Sequence, residues 1–355
     1  LRKFVIVIIL LVVLASMLAG CMPSTVTPAW SSVLVANGVL YVGSQGGRVY
    51  ALNAASNGEV WQFPSASENV AKGAFYAAPV LLDATIYIGS HDNHLYALDA
   101  NTGSQRWVFS AAGPILADVL IADGMLYVTS TDHKVYALDA VTGLKKWEFA
   151  TGNWVWGRPA VAGGKVYVAS FDHKVYCLNA ADGSKVWEFA ADAAFPGGPT
   201  VADGIVYCGA MDNRLYALDA STGALRWQYE TGNWIWASPV AEGDTIYVAS
   251  LDATLYALDA VTHVERWRFV ASGMIRAAPA YADGLLYVGT ETGTLHVLDA
   301  ANGQQKWSFE AGTAIHTSPV VADGAVYFSA LGDTVYALDA TTGVQRWNVN
   351  PTRRK

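Results

Sequence analysis

The sequence predicts an all-β protein, an eight-bladed β-propeller of four-stranded antiparallel blades. Three observations predict it. A Tyr-then-Trp pair returns eight times: Tyr41 and Trp61, Tyr87 and Trp107, Tyr127 and Trp147, Tyr167 and Trp187, Tyr207 and Trp227, Tyr247 and Trp267, Tyr287 and Trp307, Tyr327 and Trp347. The spacing is 46 residues once and 40 thereafter, with the six extra residues in the loop after Trp61, around Ser65–Gly73. Each unit breaks into short apolar runs punctuated by Gly and Asp, the pattern of a β-meander, with no sustained helical period. Four-strand units of about 40–45 residues repeat radially in propellers.

The last unit shows the element order. Strand A is expected at Ser318–Ala322, and Asp323-Gly324 turns into strand B at Ala325–Ser329. A loop, Ala330–Asp333, leads to strand C at Thr334–Asp339. Ala340–Gly343 then turns into strand D at Gln345–Val349. In Leu98-Asp99-Ala100-Asn101-Thr102-Gly103, the Asp carboxylate is suited to accept turn N–H groups and the Gly to take positive φ. Trp107 follows four residues on, where an indole can wedge between neighbouring blades. Trp61, Trp107, Trp147, Trp187, Trp227, Trp267, Trp307 and Trp347 are therefore the expected docking residues. Three repeats depart from the pattern: Asn53 replaces Asp and Gly58 comes one place late, Asn179 replaces Asp, and His263 replaces Gly.

Composition narrows the function classes. The 355 residues are 53% hydrophobic and 15% charged, with net charge −8. An acidic body argues against a nucleic-acid binder. The three Cys are too few for a disulfide framework or a four-Cys zinc site. Cys177 and Cys208 read most simply as small buried hydrophobes, with a disulfide between them as the alternative.

Outside the repeats, Arg2 and Lys3 precede an apolar run from Phe4 to Leu14 that ends in Leu18-Ala19-Gly20-Cys21. This resembles a bacterial lipoprotein signal, with residues 1–20 removed and Cys21 lipidated. Residues 21–29 are then a short tether, 30–349 the propeller, and 350–355 a basic tail. The resemblance implies export and attachment to the cell envelope through Cys21. The site of attachment is the outer membrane facing the periplasm in a host that has one, otherwise the outer face of the cytoplasmic membrane.

The stretch A-L-D-A-x-T-G-x-x-x-W resembles the tryptophan-docking repeat of pyrroloquinoline-quinone (PQQ)-type propellers. Two families share it, the quinoprotein dehydrogenases and the BamB-type envelope lipoproteins. A repeat propeller behind a lipobox is similar to the second. That resemblance implies a non-catalytic, monomeric scaffold that binds envelope protein partners in outer-membrane protein assembly. The first family typically holds PQQ with calcium under a vicinal Cys–Cys disulfide, and no Cys-Cys pair is present. PQQ with calcium therefore belongs only to the minor dehydrogenase alternative. A ligand- or glycan-binding propeller is the other alternative. No catalytic set stands at meaningful spacing, so no catalytic residue is assigned.

Comparing the repeats with one another locates a site. Four residues before the start of strand A, every repeat is apolar; two before, every repeat is small. Three before, the residues are Trp30, Tyr76, Leu116, Trp156, Pro196, Trp236, Arg276 and His316, which obey no packing rule. Strand A is innermost in a propeller, so these should ring the channel mouth. Trp154 and Trp234, in two Thr-Gly-Asn-Trp-x-Trp segments, add indoles there. Aromatics with Arg suit a contact surface, and large rings also suit a channel plug. The loops between strands B and C fall on the same face. Their closing residues, Arg48, His94, Lys134, Lys174 and Arg214, form a basic arc over blades 1–5. That arc either faces an acidic partner or pairs with its own neighbours. The loop histidines lie too far apart between blades to share a metal, so none is assigned.

Overall fold

The computed structural model describes residues 31–65 and 72–353. Cys21, Trp30, the signal and tether segments, and Arg354 and Lys355 of the tail lie outside the described residues. Eight four-stranded antiparallel sheets follow one another, each in the order A-B-C-D, from Val33 to Val349. The fold is all-β; among the described residues there is, beyond the strands, one 3₁₀ turn, Pro351–Arg353.

In blade 8 the strands are Val320–Ala322, Ala325–Ala330, Thr334–Asp339 and Gln345–Val349. Strand A starts two residues later than expected, just after Pro319, and blade 3 starts its strand at Leu120 in the same way although Val119 holds that column, so the proline alone does not set the start. The same offset follows Pro79, Pro159, Pro199, Pro239 and Pro279, whereas blade 1, with Val33 in that column, begins its strand there. Strands C and D slip register in every blade where the chain approaches the Asp turn, for example between Ala137 and Leu138. The docking Trp faces a small residue across the ladder, as Trp147 faces Ala137 and Trp187 faces Cys177. That leaves the indole room to lie over the sheet.

The core is divided among the joints between blades. Each buried cluster draws on two neighbouring blades: one combines Tyr167, Cys177 and Trp187 with Val206, Cys208 and Tyr216. The docking indoles reach forward into the next blade. Trp61, Trp147, Trp187, Trp267 and Trp347 donate Nε1–H to the carbonyls of Ala100, Ala180, Ala220, Ala300 and Ala54, at 2.8–3.1 Å. In most of these joints the strand-B tyrosine shares the acceptor: Tyr167 Oη and Trp187 Nε1 both donate to Ala220 O, at 3.0 and 3.1 Å.

Above six of the eight indoles the next blade presents the turn glycine. A Cβ on Gly223 (φ +74°) would stand 2.7 Å from Trp187. The departures from the repeat fit this scheme. Asn57, not Gly58, takes the positive φ of 55° in blade 1, and His263 takes φ 64° and stacks on Trp227 at 4.8 Å.

Blade 8 closes on blade 1 through the same contact. Trp347 docks on Ala54, and Val33, Leu40 and Tyr50 pack with Tyr327 and Val335. No strand is exchanged, since each sheet is built from one continuous stretch of chain.

Candidate functional site at the channel mouth

Each D-to-A loop is pinned before it enters the channel. The apolar residue of the column, such as Phe75, Ile115, Phe195 or Ile315, is fully buried. Its N–H donates to the end of strand B in its own repeat's neighbour: Phe75 to Ser44, Ile115 to Ser90, Ile315 to Thr290. The small residue two places on is also buried, as at Ala77, Ala117 and Ala237. The side chain between these two anchors is left to point at the axis. Tyr76, Leu116, Trp156, Pro196, Trp236, Arg276 and His316 accordingly line one cavity of about 180 Å³. Trp30 lies outside the described residues.

The mouth is lopsided. On one side Trp156 meets Trp236 edge-on at 6.3 Å, and Trp154 and Phe171 pack against Trp156 at 6.4 and 6.2 Å. The Thr-Gly-Asn-Trp segments are built turns that hold an indole upright. The Thr151 hydroxyl donates to Asn153 O, Gly152 N–H to Asp172, and Trp154 N–H to Asn153 Oδ1. Thr231, Gly232 and Trp234 repeat these bonds. Trp154 and Trp234 remain 45% and 41% exposed, large values for indoles.

On the other side Arg276 lies over Trp236 at 5.0 Å, and its Nε donates to Glu291 at 2.6 Å. His316 Nε2 is 3.7 Å from the same carboxylate, and burial pulls its pKa below the usual histidine range. Deeper in the throat Asp118 accepts the Ala78 N–H at 2.6 Å, and burial raises its pKa. Arg158 lines the same cavity.

The basic arc is spent on neighbours. Lys134 and Lys174 pair with Glu148 and Glu188 at 2.7 Å, Arg214 with Asp192 at 3.6 Å, and His94 with Asp92 at 3.2 Å. Arg48 donates to the Pro64 carbonyl at 2.6 Å. Such exposed pairs carry little energy. The loop carboxylates Asp92, Asp172, Asp212 and Asp252 also accept from Tyr96, Tyr176, Tyr216 and Tyr256 four residues on, which makes them turn residues.

Phe171, Glu291, Asp118 and Arg158 were not among the sequence candidates. Two columns of the repeat carry their signal. One column in the B–C loop runs Gln45, His91, Thr131, Phe171, Met211, Leu251, Glu291, Leu331; the one before the strand-A proline column runs Ser32, Ala78, Asp118, Arg158, Gly198, Ser238, Ala278, Ser318. Each varies as freely as the column that was chosen.

Among the described residues no three His, Cys, Asp or Glu come together to hold a metal. Cys177 and Cys208 are buried and free, and burial raises both thiols, Cys177 to about 11. The cavity is smaller than the ~300–1,000 Å³ usual for small-molecule sites. These residues do not fit a calcium-held quinone under a vicinal disulfide.

Fold and docking geometry define a repeat-built propeller of the PQQ type. The family model described as outer membrane protein assembly factor BamB matches residues 24–108, 47–155, 151–234, 232–312 and 273–354. The chain belongs to that family. Among solved structures it is similar to BamB from Moraxella catarrhalis, with 22% identity, a TM-score of 0.72, and 84% of this chain and 93% of that one covered. It is also similar to the computationally designed Ika8 protein, at 16% identity and TM-score 0.78, covering 87% and 96%. At these identities the likeness carries the fold. No curated protein matches the sequence. Among the described residues no helix is long and apolar enough to cross a membrane.

Proposed function

We propose that the protein is a non-catalytic scaffold, tethered to the cell envelope through lipidated Cys21, that holds a protein partner on its channel-mouth face. Membership of the BamB family supports outer-membrane protein assembly as the setting. The observation that carries the reading is the lopsided mouth: seven equivalent loop positions converge on one cavity, and aromatic and charged residues segregate to opposite sides of it. Exposed Trp beside an oriented Arg is the composition of binding hot spots. The test places a photo-crosslinking residue at Trp154 or Trp234 in native membranes, with Thr142 on the opposite turns as control. A discrete crosslinked partner from the first two sites and none from the third is expected. Equal or absent crosslinking at all three overturns the reading. Cys21→Ser should release the protein from membranes; retention would remove the anchor from the proposal. Purified protein mixed with PQQ and calcium is expected to show no bound-quinone spectrum, and such a spectrum would restore the dehydrogenase alternative.

A further inference from the structure

The cations of the mouth narrow the chemistry of what binds there. Elsewhere on this face the cations of the basic arc are taken up by Glu148, Glu188, Asp192, Asp92 and a backbone carbonyl. Arg276 is paired as well, with Glu291, but through one nitrogen. Only its Nε is engaged, with Glu291, and its plane is fixed by Trp236. Its two terminal nitrogens have no partner among the described residues, although the side chain lines the cavity. Arg158 lines the same cavity within electrostatic reach of Asp118, whose carboxyl accepts the Ala78 amide and is pushed up by burial. A guanidinium already oriented by a carboxylate and a ring loses little freedom on binding, and its terminal N–H pair matches a carboxylate. The indoles of Trp156 and Trp236 supply an apolar wall beside it. A volume of about 180 Å³ suits one side chain.

We propose that the channel mouth is a carboxylate subsite that takes one acidic side chain of an extended peptide segment. The carboxylate sits at Arg276, supported by Arg158, and its methylenes lie against Trp156 and Trp236. This rests on reading the mouth as the contact surface, and it adds the chemistry of the partner: an exposed Glu-bearing strand or loop.

The test is calorimetric titration at low salt with the peptide acetyl-Gly-Ser-Glu-Ser-Gly-amide, its Gln counterpart, and glutarate. The Glu peptide should bind about tenfold more tightly than the Gln peptide, in keeping with a charge-assisted pair. Arg276→Gln should lower Glu-peptide affinity about tenfold, Arg276→Lys less, and Lys134→Gln not at all. Equal binding of the two peptides, or an Arg276→Gln protein that still prefers Glu, overturns the proposal. Glutarate binding as well as the Glu peptide overturns the peptide assignment. If Arg276→Gln lowers the melting midpoint, Arg158→Gln and a salt titration of the wild type decide, since a carboxylate contact must weaken with salt. Peptide binding with no crosslinked partner at Trp154 or Trp234 would sink the scaffold reading alone. A crosslinked partner with no Glu preference would sink the subsite alone.

Discussion

The shared acceptor at each blade joint makes a prediction that simple burial does not. Ala220 O receives the Tyr167 hydroxyl and the Trp187 indole, both buried. Tyr167→Phe removes one donor and leaves the carbonyl satisfied by the other. The cost should be about 1 kcal/mol, the net worth of one hydrogen bond. Trp187→Phe removes the other donor and part of the ring, adding a transfer and cavity cost of about 1–2 kcal/mol. In the double variant the carbonyl keeps neither side-chain partner. A buried acceptor left unmade costs about 1–3 kcal/mol, so the double should exceed the sum of the singles by roughly 1–2 kcal/mol. Equilibrium urea denaturation of the four proteins, with slopes checked for equality, gives the coupling directly. The Tyr41–Trp107 pair belongs to different joints and serves as an additive control, because its members donate to no common carbonyl. Additivity within about 0.5 kcal/mol at Tyr167 and Trp187 would show that water replaces the lost donors and that the shared acceptor holds nothing together.

Other expectations follow from the same geometry. Gly223→Ala should destabilise far more than Gly204→Ala: both glycines have φ near +75°, but only at Gly223 would a Cβ meet the Trp187 ring, so equal shifts in urea midpoint would refute the steric account. His296 fills the column that holds Tyr in the other blades; it hydrogen-bonds Gln305 at 2.7 Å and Ser272 at 3.1 Å, and burial lowers its pKa. A lowered histidine pKa favours the neutral ring in the folded state, so its contribution is complete above the ordinary value near 6.5 and falls away as pH drops through that value toward the folded one. The urea midpoint should therefore fall more between pH 7 and 5 in the wild type than in Thr292→Asp/His296→Tyr, which restores the repeat; parallel falls would contradict this. On vesicles, a spin label at His133 should be relaxed by lipid-bound reagent more strongly than one at Thr142, the mouth and B–C loops facing the membrane, and the reverse order would invert the molecule. The tail supports that placement, since Asn350 donates to Gly332 in a B–C loop and carries Pro351–Arg353 on the same face.

The fold was legible because its signal is repeated: eight copies of one Tyr, one Asp or Asn turn and one Trp leave little ambiguity, and strands C and D of blade 8 fall where the letters place them. Strand A was read two residues long because the apolar run extends past the residues that pair with strand B, in blade 3 with Val119 as in the blades with proline there. The mouth was half legible. The column holding Trp156, Trp236 and Arg276 stood out because its variation broke packing rules, and the structure brings its seven described members to one cavity. Asp118 and Arg158 escaped because they line the same cavity from a neighbouring column of the loop, and Phe171 and Glu291 because they reach Trp156 and Arg276 from the B–C loops; a single-column comparison cannot show that columns converge. The basic arc was legible as a pattern but not as a set of pairs. Its partners Glu148 and Glu188 sit 14 residues away on strand D, a distance set by the meander and not by any local spacing.

The ring closes without exchanging a strand, and this makes the eighth joint mechanically unlike the other seven. Those seven are held twice, by their buried contacts and by the loop that runs from one blade to the next. Between blades 8 and 1 there is no such hinge of chain. If the Trp347–Ala54 latch opens, the two ends are free to part, and reclosing must restore a contact between residues nearly three hundred positions apart. Fluctuations should concentrate at this seam, as in a split washer, whose stiffness all round depends on one gap staying shut. A linker joining Val349 to Val33, with a new opening cut at another D-to-A loop, would move the seam without altering any blade.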